Sequence, residues 1–398
     1  MLKVREKSPI IVVGIGADGW TGLSEPAKAA LADAEVVFGG PRQLAYLPEG
    51  ARQVPWPSPL LPALDGLLAQ YAGQRICVLA SGDPLLSGIG TTLIRRFGDV
   101  EVLPTLSSVT LARARLGWSA EETEVVTLVG RDVHRVNRVL APGRRVLVLG
   151  STAADLRDLL KARGYEASHL TVLEELGGPD ERVLDGWTTE SAALSVLAIE
   201  CSGPPLSLVG GLPDDAFEHD GQLTKRDLRA SALARLAPTP GELLWDVGAG
   251  AGSVGIEWSR AHPLNRAIAI EHDPARAARI GRNADTLGVP ELRVVTGSAP
   301  GALAKLDLPD AIFLGGGLTV PGVLDACLET GARLVAHGVT LESEQALARA
   351  YTEHGGELTR LSVEQAAPLG GFTGWSPART VTQWSFARGS FARGSHAS

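Results

Sequence analysis

Asp246 stands two places ahead of Gly248 in the run Asp246-Val247-Gly248-Ala249-Gly250-Ala251-Gly252, and Glu271 follows nineteen residues after the last of those glycines. Two carboxylates flanking a glycine-rich turn describe a pocket that wants hydrogen-bond donors and positive charge. The spacing is G-x-G-x-G, not the G-x-G-x-x-G that seats a pyrophosphate on a helix N-terminus. A carboxylate ahead of the turn also repels phosphate. An ammonium group on the ligand would suit Asp246, and an adenosine with two ribose hydroxyls to satisfy would suit Glu271. A turn that merely joined strand to helix would leave both acids without a purpose. The positioning elements can be read on either side. Leu243-Leu244-Trp245 is an apolar strand, Ser253 to Trp258 resumes helical spacing, and Ala267-Ile268-Ala269-Ile270 forms the next strand, which Glu271 ends.

Together these features resemble the seven-strand class of S-adenosylmethionine-dependent methyltransferases. The resemblance implies S-adenosylmethionine as cofactor, with Asp246, Gly248, Gly250, Gly252 and Glu271 as contacts. Gly297 and Ser298, at the end of a strand over 292–296, join them.

An earlier part of the chain carries a second set of loops. The strand Ile10-Ile11-Val12-Val13 runs into Gly14-Ile15-Gly16, and no acid closes the next strand, Glu35 to Gly40, which speaks against a dinucleotide site. Ser24 is placed to cap a helix reaching Ala34, with Pro26 in its first turn. A helix over 63–71 leads to a strand over 76–80, and then to Ser81-Gly82-Asp83-Pro84. A strand over 100–103 leads to Pro104-Thr105-Leu106-Ser107-Ser108 and a helix over 110–116. The three loops resemble the tetrapyrrole methylases, a structurally unrelated methyltransferase class. That resemblance implies two α/β lobes that clasp the cofactor largely through backbone groups, with Gly14, Gly16, Gly82, Asp83, Ser107 and Ser108 as contacts. Val129, before Gly130-Arg131, stands where the family usually has a His, so no catalytic part is assigned to it. A second lobe follows, with strands over 145–149, 170–173 and 194–199 and a helix over 155–163. Its Glu174 to Arg182 turn resembles that of cobalamin-pathway members.

Pro204-Pro205 and Gly210-Gly211 mark a linker. Thr224 is expected to cap the helix that opens the next domain, and Gln222-Leu223-Thr224-Lys225 resembles the start of a decarboxylating partner domain in which Gln222 and Thr224 lie beside the cofactor. Strands over 310–314 and 333–336 and a pair over 358–364 and 379–384 are expected to complete a seven-strand sheet. Between that pair, Leu369 to Trp375 reads as a loop long enough to cover a planar substrate.

The expected architecture is α/β throughout: a two-lobed tetrapyrrole methylase domain over 1–205 (lobes about 1–105 and 106–205), a linker over 206–219, a Rossmann-like methyltransferase and decarboxylase domain over 220–386, and a tail over 387–398 where Phe-Ala-Arg-Gly-Ser repeats. A formal charge of −8 argues against a nucleic-acid partner. Cys77, Cys201 and Cys327 form no zinc framework, and the eight His residues are scattered, so no metal is expected. No apolar run is as long as a membrane span, which leaves the cytoplasm as the expected compartment. A homo-oligomer is expected by resemblance.

The fused pair implies a bifunctional C-methyltransferase of cobalamin biosynthesis. By that resemblance it methylates precorrin-6B at ring carbons 5 and 15 and decarboxylates the ring C acetate, giving precorrin-8. The alternative is a bifunctional enzyme acting on a cobalt-containing precorrin. A polycarboxylate substrate calls for cations, and Arg131, Lys225, Arg226, Arg229 and Arg379 are the candidates. Asp83 and Thr224 are further positioning candidates, and Trp375 is the aromatic best placed to stack on the macrocycle.

Overall fold

The computed structural model describes residues 9–187, 191–207 and 209–387. The expected tail beyond Ala387 lies outside them. Two compact units emerge. One runs up to Val133 and resumes over Ala141–Pro204; the other combines His134–Leu140 with the chain from Pro205 onward.

In the first unit the N-terminal lobe alternates strand and helix: β1 (Ile10–Ile15), α1 (Glu25–Asp33), β2 (Val36–Gly39), α2 (Pro41–Leu44), β3 (Arg52–Pro55), α3 (Leu60–Ala69), β4 (Ile76–Ser81), α4 (Ile89–Phe97) and β5 (Val100–Leu103). Its five strands are parallel, in the order β3-β2-β4-β1-β5. The central strands are unbroken apolar runs because both sheet faces are covered. Val12, Val78 and Phe38 face one buried cluster, and Val13, Val37 and Leu79 the other. Ser24 caps α1 by accepting the Ala27 amide at 3.4 Å.

The second lobe contains α5 (Ser108–Leu116), β6 (Thr123–Thr127), β7 (Arg145–Leu149), α6 (Ala153–Ala162), β8 (His169–Glu174), β9 (Arg182–Asp185) and β10 (Ser195–Glu200). The sheet order is β6-β7-β10-β8-β9, with β6 and β7 parallel and the other neighbours antiparallel. β9 was not anticipated; it is a four-residue, largely exposed edge strand with little apolar alternation.

The second unit holds α7 (Arg226–Leu236), β11 (Leu243–Val247), α8 (Ser253–Ala261), β12 (Arg266–Glu271), α9 (Pro274–Thr286), β13 (Arg293–Thr296), β14 (Ala311–Leu314), α10 (Val323–Glu329), β15 (Arg333–Gly338), α11 (Leu341–His354), β16 (Glu357–Leu361), β17 (Glu364–Leu369), β18 (Phe372–Pro377) and β19 (Val381–Phe386). Seven strands form one sheet in the order β13-β12-β11-β14-β15-β19-β16. The chain reverses direction across the sheet between β11 and β14, and open α/β sheets bind ligands beyond the carboxyl ends of strands at such a point. Trp245, Trp258 and Trp384 are buried on its two faces.

Three local expectations are corrected. The segment expected to be a covering loop is a separate hairpin, β17 and β18, turning through Gly370-Gly371. A two-residue Gly-Gly turn between extended runs favours that hairpin. Thr224 does not cap α7. Lys225 occupies the N-cap without a side-chain bond, and the Arg226 amide is satisfied by Asp214 Oδ1 at 3.0 Å. Finally, the stretch read as a linker contributes Leu212 and Phe217 to the second unit's core.

All three cysteines are buried and free; burial pushes the Cys77 and Cys327 thiols up to about 12 and Cys201 up to about 11. Among the described residues no helix is long and apolar enough to cross a membrane.

Two candidate cofactor cavities

In the second unit, β11 delivers its chain end into Gly248, whose φ of 71° and close approach to the Gly316 backbone exclude a side chain: a Cβ there would sit 2.7 Å from Gly316 N. Gly250, at φ 59°, packs in the same way against the Gln222 carbonyl, which would lie 2.7 Å from its Cβ. These two approaches set the floor and one wall of a cavity of about 460 Å³. Of the residues expected to contact a cofactor, Gln222, Gly248, Gly250, Glu271, Gly297 and Ser298 line it. The sequence reading missed the Gly315-Gly316-Gly317 wall, Thr319 and Arg276. The signal for the glycine wall was present: a glycine triplet ends β14, the strand across the sheet's reversal point from β11.

Glu271 is 3% exposed. Its Oε2 accepts the Gly250 amide at 2.8 Å, and its Oε1 accepts the Asp273 amide at 3.0 Å and faces His272 Nδ1 at 3.0 Å. A carboxylate offers about four lone-pair directions, and with these three contacts made about one remains, on Oε2, for a ligand hydroxyl. The glycine-walled cavity, with this acid at its edge, fits an adenosyl cofactor.

Asp246 is placed differently from the expectation. It is not among the cavity-lining residues; it is 1% exposed beneath the turn, and its Oδ2 accepts the Gly255 amide at 2.9 Å in the first turn of α8. Burial, with some repulsion from Glu271, raises its carboxyl to about 7. Its place beneath the loop and its bond to the Gly255 amide make it a support for α8. Gly252 forms the N-cap of α8 and, like Thr224, lies outside the lining.

In the first unit a cavity of about 450 Å³ opens at the carboxyl ends of β1 and β4 and is closed by residues of the second lobe. Gly16, Gly82, Asp83, Ser107 and Ser108 line it. Gly14 lies just behind, where a Cβ would meet the Gly82 carbonyl at 2.0 Å. Asp83 Oδ1 accepts the Leu85 amide at 2.8 Å, which shapes the turn. Ser107 Oγ caps α5 by accepting the Thr110 amide at 3.1 Å. Leu173, Leu176 and Ala193 to Val196 supply an apolar wall that the sequence reading did not foresee. Val129 also lines the cavity.

The cations expected to meet substrate carboxylates separate into two groups. Arg229 is excluded: it is fully buried, and its Nε donates to Glu257 Oε1 at 2.6 Å. Lys225 Nζ lies 3.4 Å from Asp214 Oδ2 and is half exposed. Arg131, Arg226 and Arg379 are exposed, and Arg131 is not in the first-unit lining. Trp375 stands 73% exposed on β18.

A reversed seven-strand sheet with a glycine turn and a strand-end acid, in one chain with a two-lobed α/β unit whose loops border a cavity, defines a methyltransferase. Family models place the same division on the chain: residues 9–192 match the Tetrapyrrole (Corrin/Porphyrin) Methylases and residues 215–388 match the Precorrin methyltransferase domain. A precorrin-6Y C(5,15)-methyltransferase [decarboxylating] from Sinorhizobium sp is 48% identical over 96% of this chain and 96% of its own length. Two relatives named for one activity are shorter. The Pyrobaculum calidifontis protein named Probable cobalt-precorrin-6B C(15)-methyltransferase (decarboxylating) is 37% identical over 41% of this chain and 88% of its own. A cobalt-precorrin-7 C(5)-methyltransferase from Salmonella typhimurium is 31% identical over 44% and 88%. The chain belongs to the family of decarboxylating precorrin-6Y C(5,15)-methyltransferases, enzymes whose methyl donor is S-adenosylmethionine.

Proposed function

We propose that each unit holds its own S-adenosylmethionine. In this reading the first unit methylates ring carbon 5, and the second methylates carbon 15 and decarboxylates the ring C acetate, taking precorrin-6B to precorrin-8. The observation that carries the reading is the pair of cavities, about 450 and 460 Å³, one in each unit at the carboxyl ends of parallel strands. Single-activity relatives that each match less than half of the chain support dividing the work. The 48% relative has a cobalt-free precorrin in its name, which favours that substrate over the cobalt-containing alternative.

The chemistry asks mainly for placement. When bound, S-adenosylmethionine supplies an electrophilic methyl carbon. A meso carbon flanked by pyrrole-type nitrogens is already electron-rich, so in-line geometry contributes most of the rate. In the first unit Gly82 and the Ser107-Ser108 turn present backbone groups to the cavity. In the second, Glu271 accepts a ribose hydroxyl and the glycine turn fixes the adenosyl end. Lys225, Arg226 and Arg379 are exposed cations available to substrate carboxylates. For decarboxylation, the electron pair of the broken C–C bond enters the conjugated ring and carbon dioxide leaves, so the protein has mainly to desolvate one carboxylate and hold the others.

Incubating the purified chain with precorrin-6B and methyl-labelled donor tests this. The product should gain two labelled methyl groups and lose one carbon dioxide; a product with one methyl group would refute the division of labour.

A further inference from the structure

The segment from Gly211 to Lys225 has the composition of a linker, yet it is pinned at both ends. Arg229 gathers the two ends, donating to the carbonyls of Leu212 and Thr224 while its Nε holds Glu257 at 2.6 Å. Glu257 in turn accepts the Leu212 amide at 2.9 Å and the Gly211 amide. Between those ends Asp220 bonds in two directions. Its Oδ1 accepts the Gln222 amide at 3.1 Å; its Oδ2 lies 2.9 Å from Arg276 Nε and 3.1 Å from Arg279 Nη1, both on α9. The strap then rests backbone to backbone on the glycine turn, since the Gln222 carbonyl fills the space a Gly250 Cβ would need. Gln222 and Arg276 line the cavity and Asp220 does not.

We propose that Asp220 is a positioning residue for the cofactor at the second site, one oxygen shaping the strap turn and the other locking it to α9. That helix begins beside Glu271; Glu218 ties the strap to the later turns of α9 through Arg282 and Asn283, and Asp220 ties it at the turn that carries the cavity residues Gln222 and Arg276. Removing Asp220 takes away the bond to the Gln222 amide and the nearest tie to α9, so Gln222 is held against Gly250 less firmly while the Glu218 and Thr224 contacts keep the rest of the strap in place. The Arg276 guanidinium, the Gln222 amide and Arg279 hold the Asp220 carboxyl well below the usual carboxylate range, so the lock stays ionised at neutral pH. Strong placement of a side chain that touches no ligand is what second-layer support of a binding site requires.

The inference rests on the two-site reading above, and one titration separates them. The full chain and its Asp220→Ala and Asp220→Asn variants are titrated with S-adenosylhomocysteine by calorimetry. The unaltered chain should take up two equivalents. In Asp220→Ala one equivalent should keep its affinity and the other weaken roughly tenfold, as expected for losing a charge-assisted hydrogen bond. Asp220→Asn, which keeps an oxygen for the Gln222 amide but loses the ion pairs, should fall between. In turnover, KM for the donor in carbon 15 methylation should rise while kcat stays within about twofold, a split that general loss of folded protein does not produce. Two equivalents of unchanged affinity in either variant overturn the inference. A single equivalent in the unaltered chain overturns the two-site reading instead. If Asp220→Ala does not fold, Asp220→Asn decides by the same criterion.

Discussion

Glu271 Oε2 accepts the amide of Gly250 at 2.8 Å, so the acid that closes β12 braces the glycine turn that follows β11. Those two strands are parallel neighbours, with Val247 beside Ile270. One carboxylate therefore shapes the turn and, in the proposed reading, offers an acceptor to the ligand. Glu271→Ala should remove both contributions. Carbon 15 methylation is expected to fall by about a hundredfold, two charge-assisted hydrogen bonds at ~1.5–3 kcal/mol each being more than enough. Carbon 5 methylation should persist, and mass analysis of the products distinguishes the two.

Gly248→Ala should damage the same site by another route. The alanine would adopt a φ near 71° and set its Cβ 2.7 Å from the Gly316 backbone, which cannot swing aside as a side chain could. The left-handed conformation alone costs about 1–3 kcal/mol. A lowered unfolding midpoint in urea together with loss of carbon 15 product is expected. A variant with full stability and full activity would show that β14 can shift away from the turn.

Asp246 gives a pH signature of definite sign. Its carboxyl is raised to about 7 when folded, against roughly 3.9 for an unperturbed Asp. Between those values the unfolded chain releases a proton that the folded chain keeps. The stability contributed by this group is thus complete below about pH 4 and lost as pH rises toward 7. Asp246→Asn retains an acceptor for the Gly255 amide and removes the titration. Subtracting its urea stability from that of the unaltered chain between pH 4 and 8 should give a difference that shifts in the variant's favour as pH rises. Because Asp246 lies outside the cavity lining, Asp246→Asn should keep carbon 15 activity within severalfold, whereas Asp246→Ala, which strands a buried amide, should lose it.

The elements were more legible than the partners. Parallel strands such as β1, β4 and β11 announce themselves as short apolar runs ending in glycine, because burial on both faces and a tight turn leave few other residue choices. The direction of a polar side chain is a different matter. Arg229 in sequence is one of several cations at the start of a helix; that it is buried depends on Glu257, 28 positions later, and on two carbonyls no pattern reveals. Asp246 carries the residue type of a ligand contact, but its carboxylate is used by the amide nine positions ahead. The apolar wall at Ala193 to Val196 comes from the second lobe, and its approach to the first-lobe loops is a tertiary fact.

The Arg229–Glu257 pair is predicted to be the most sensitive polar contact in the second unit. Both side chains are almost fully buried, at 0% and 1% exposure. Removing one member of such a pair leaves an uncompensated charge and typically costs ~3–5 kcal/mol. Arg229→Met approximates the volume but abandons Glu257 and the Leu212 and Thr224 carbonyls. Urea unfolding should show an early transition for this unit. Arg229→Lys should recover only part of the loss, because an ammonium cannot reproduce the fork that spans one carboxylate and two carbonyls.

Trp375 should behave in the opposite way, affecting catalysis with little effect on folding. It stands 73% exposed on β18, with Phe372 83% and Leu369 68% exposed near the same turn. A Trp so placed contributes little to the core, so Trp375→Ala should change stability by no more than about 0.5 kcal/mol. If the hairpin covers the macrocycle, the indole supplies a large flat apolar face for stacking, worth ~0.5–1.5 kcal/mol beyond area burial. Steady-state assays should then show KM for the precorrin raised severalfold in carbon 15 methylation, with KM for the donor unchanged because the second-unit cavity is lined without Trp375. An unchanged KM for the precorrin would remove the hairpin from the substrate site, and the carbon 15 reaction would have to be organised by the α7 start and the glycine walls alone.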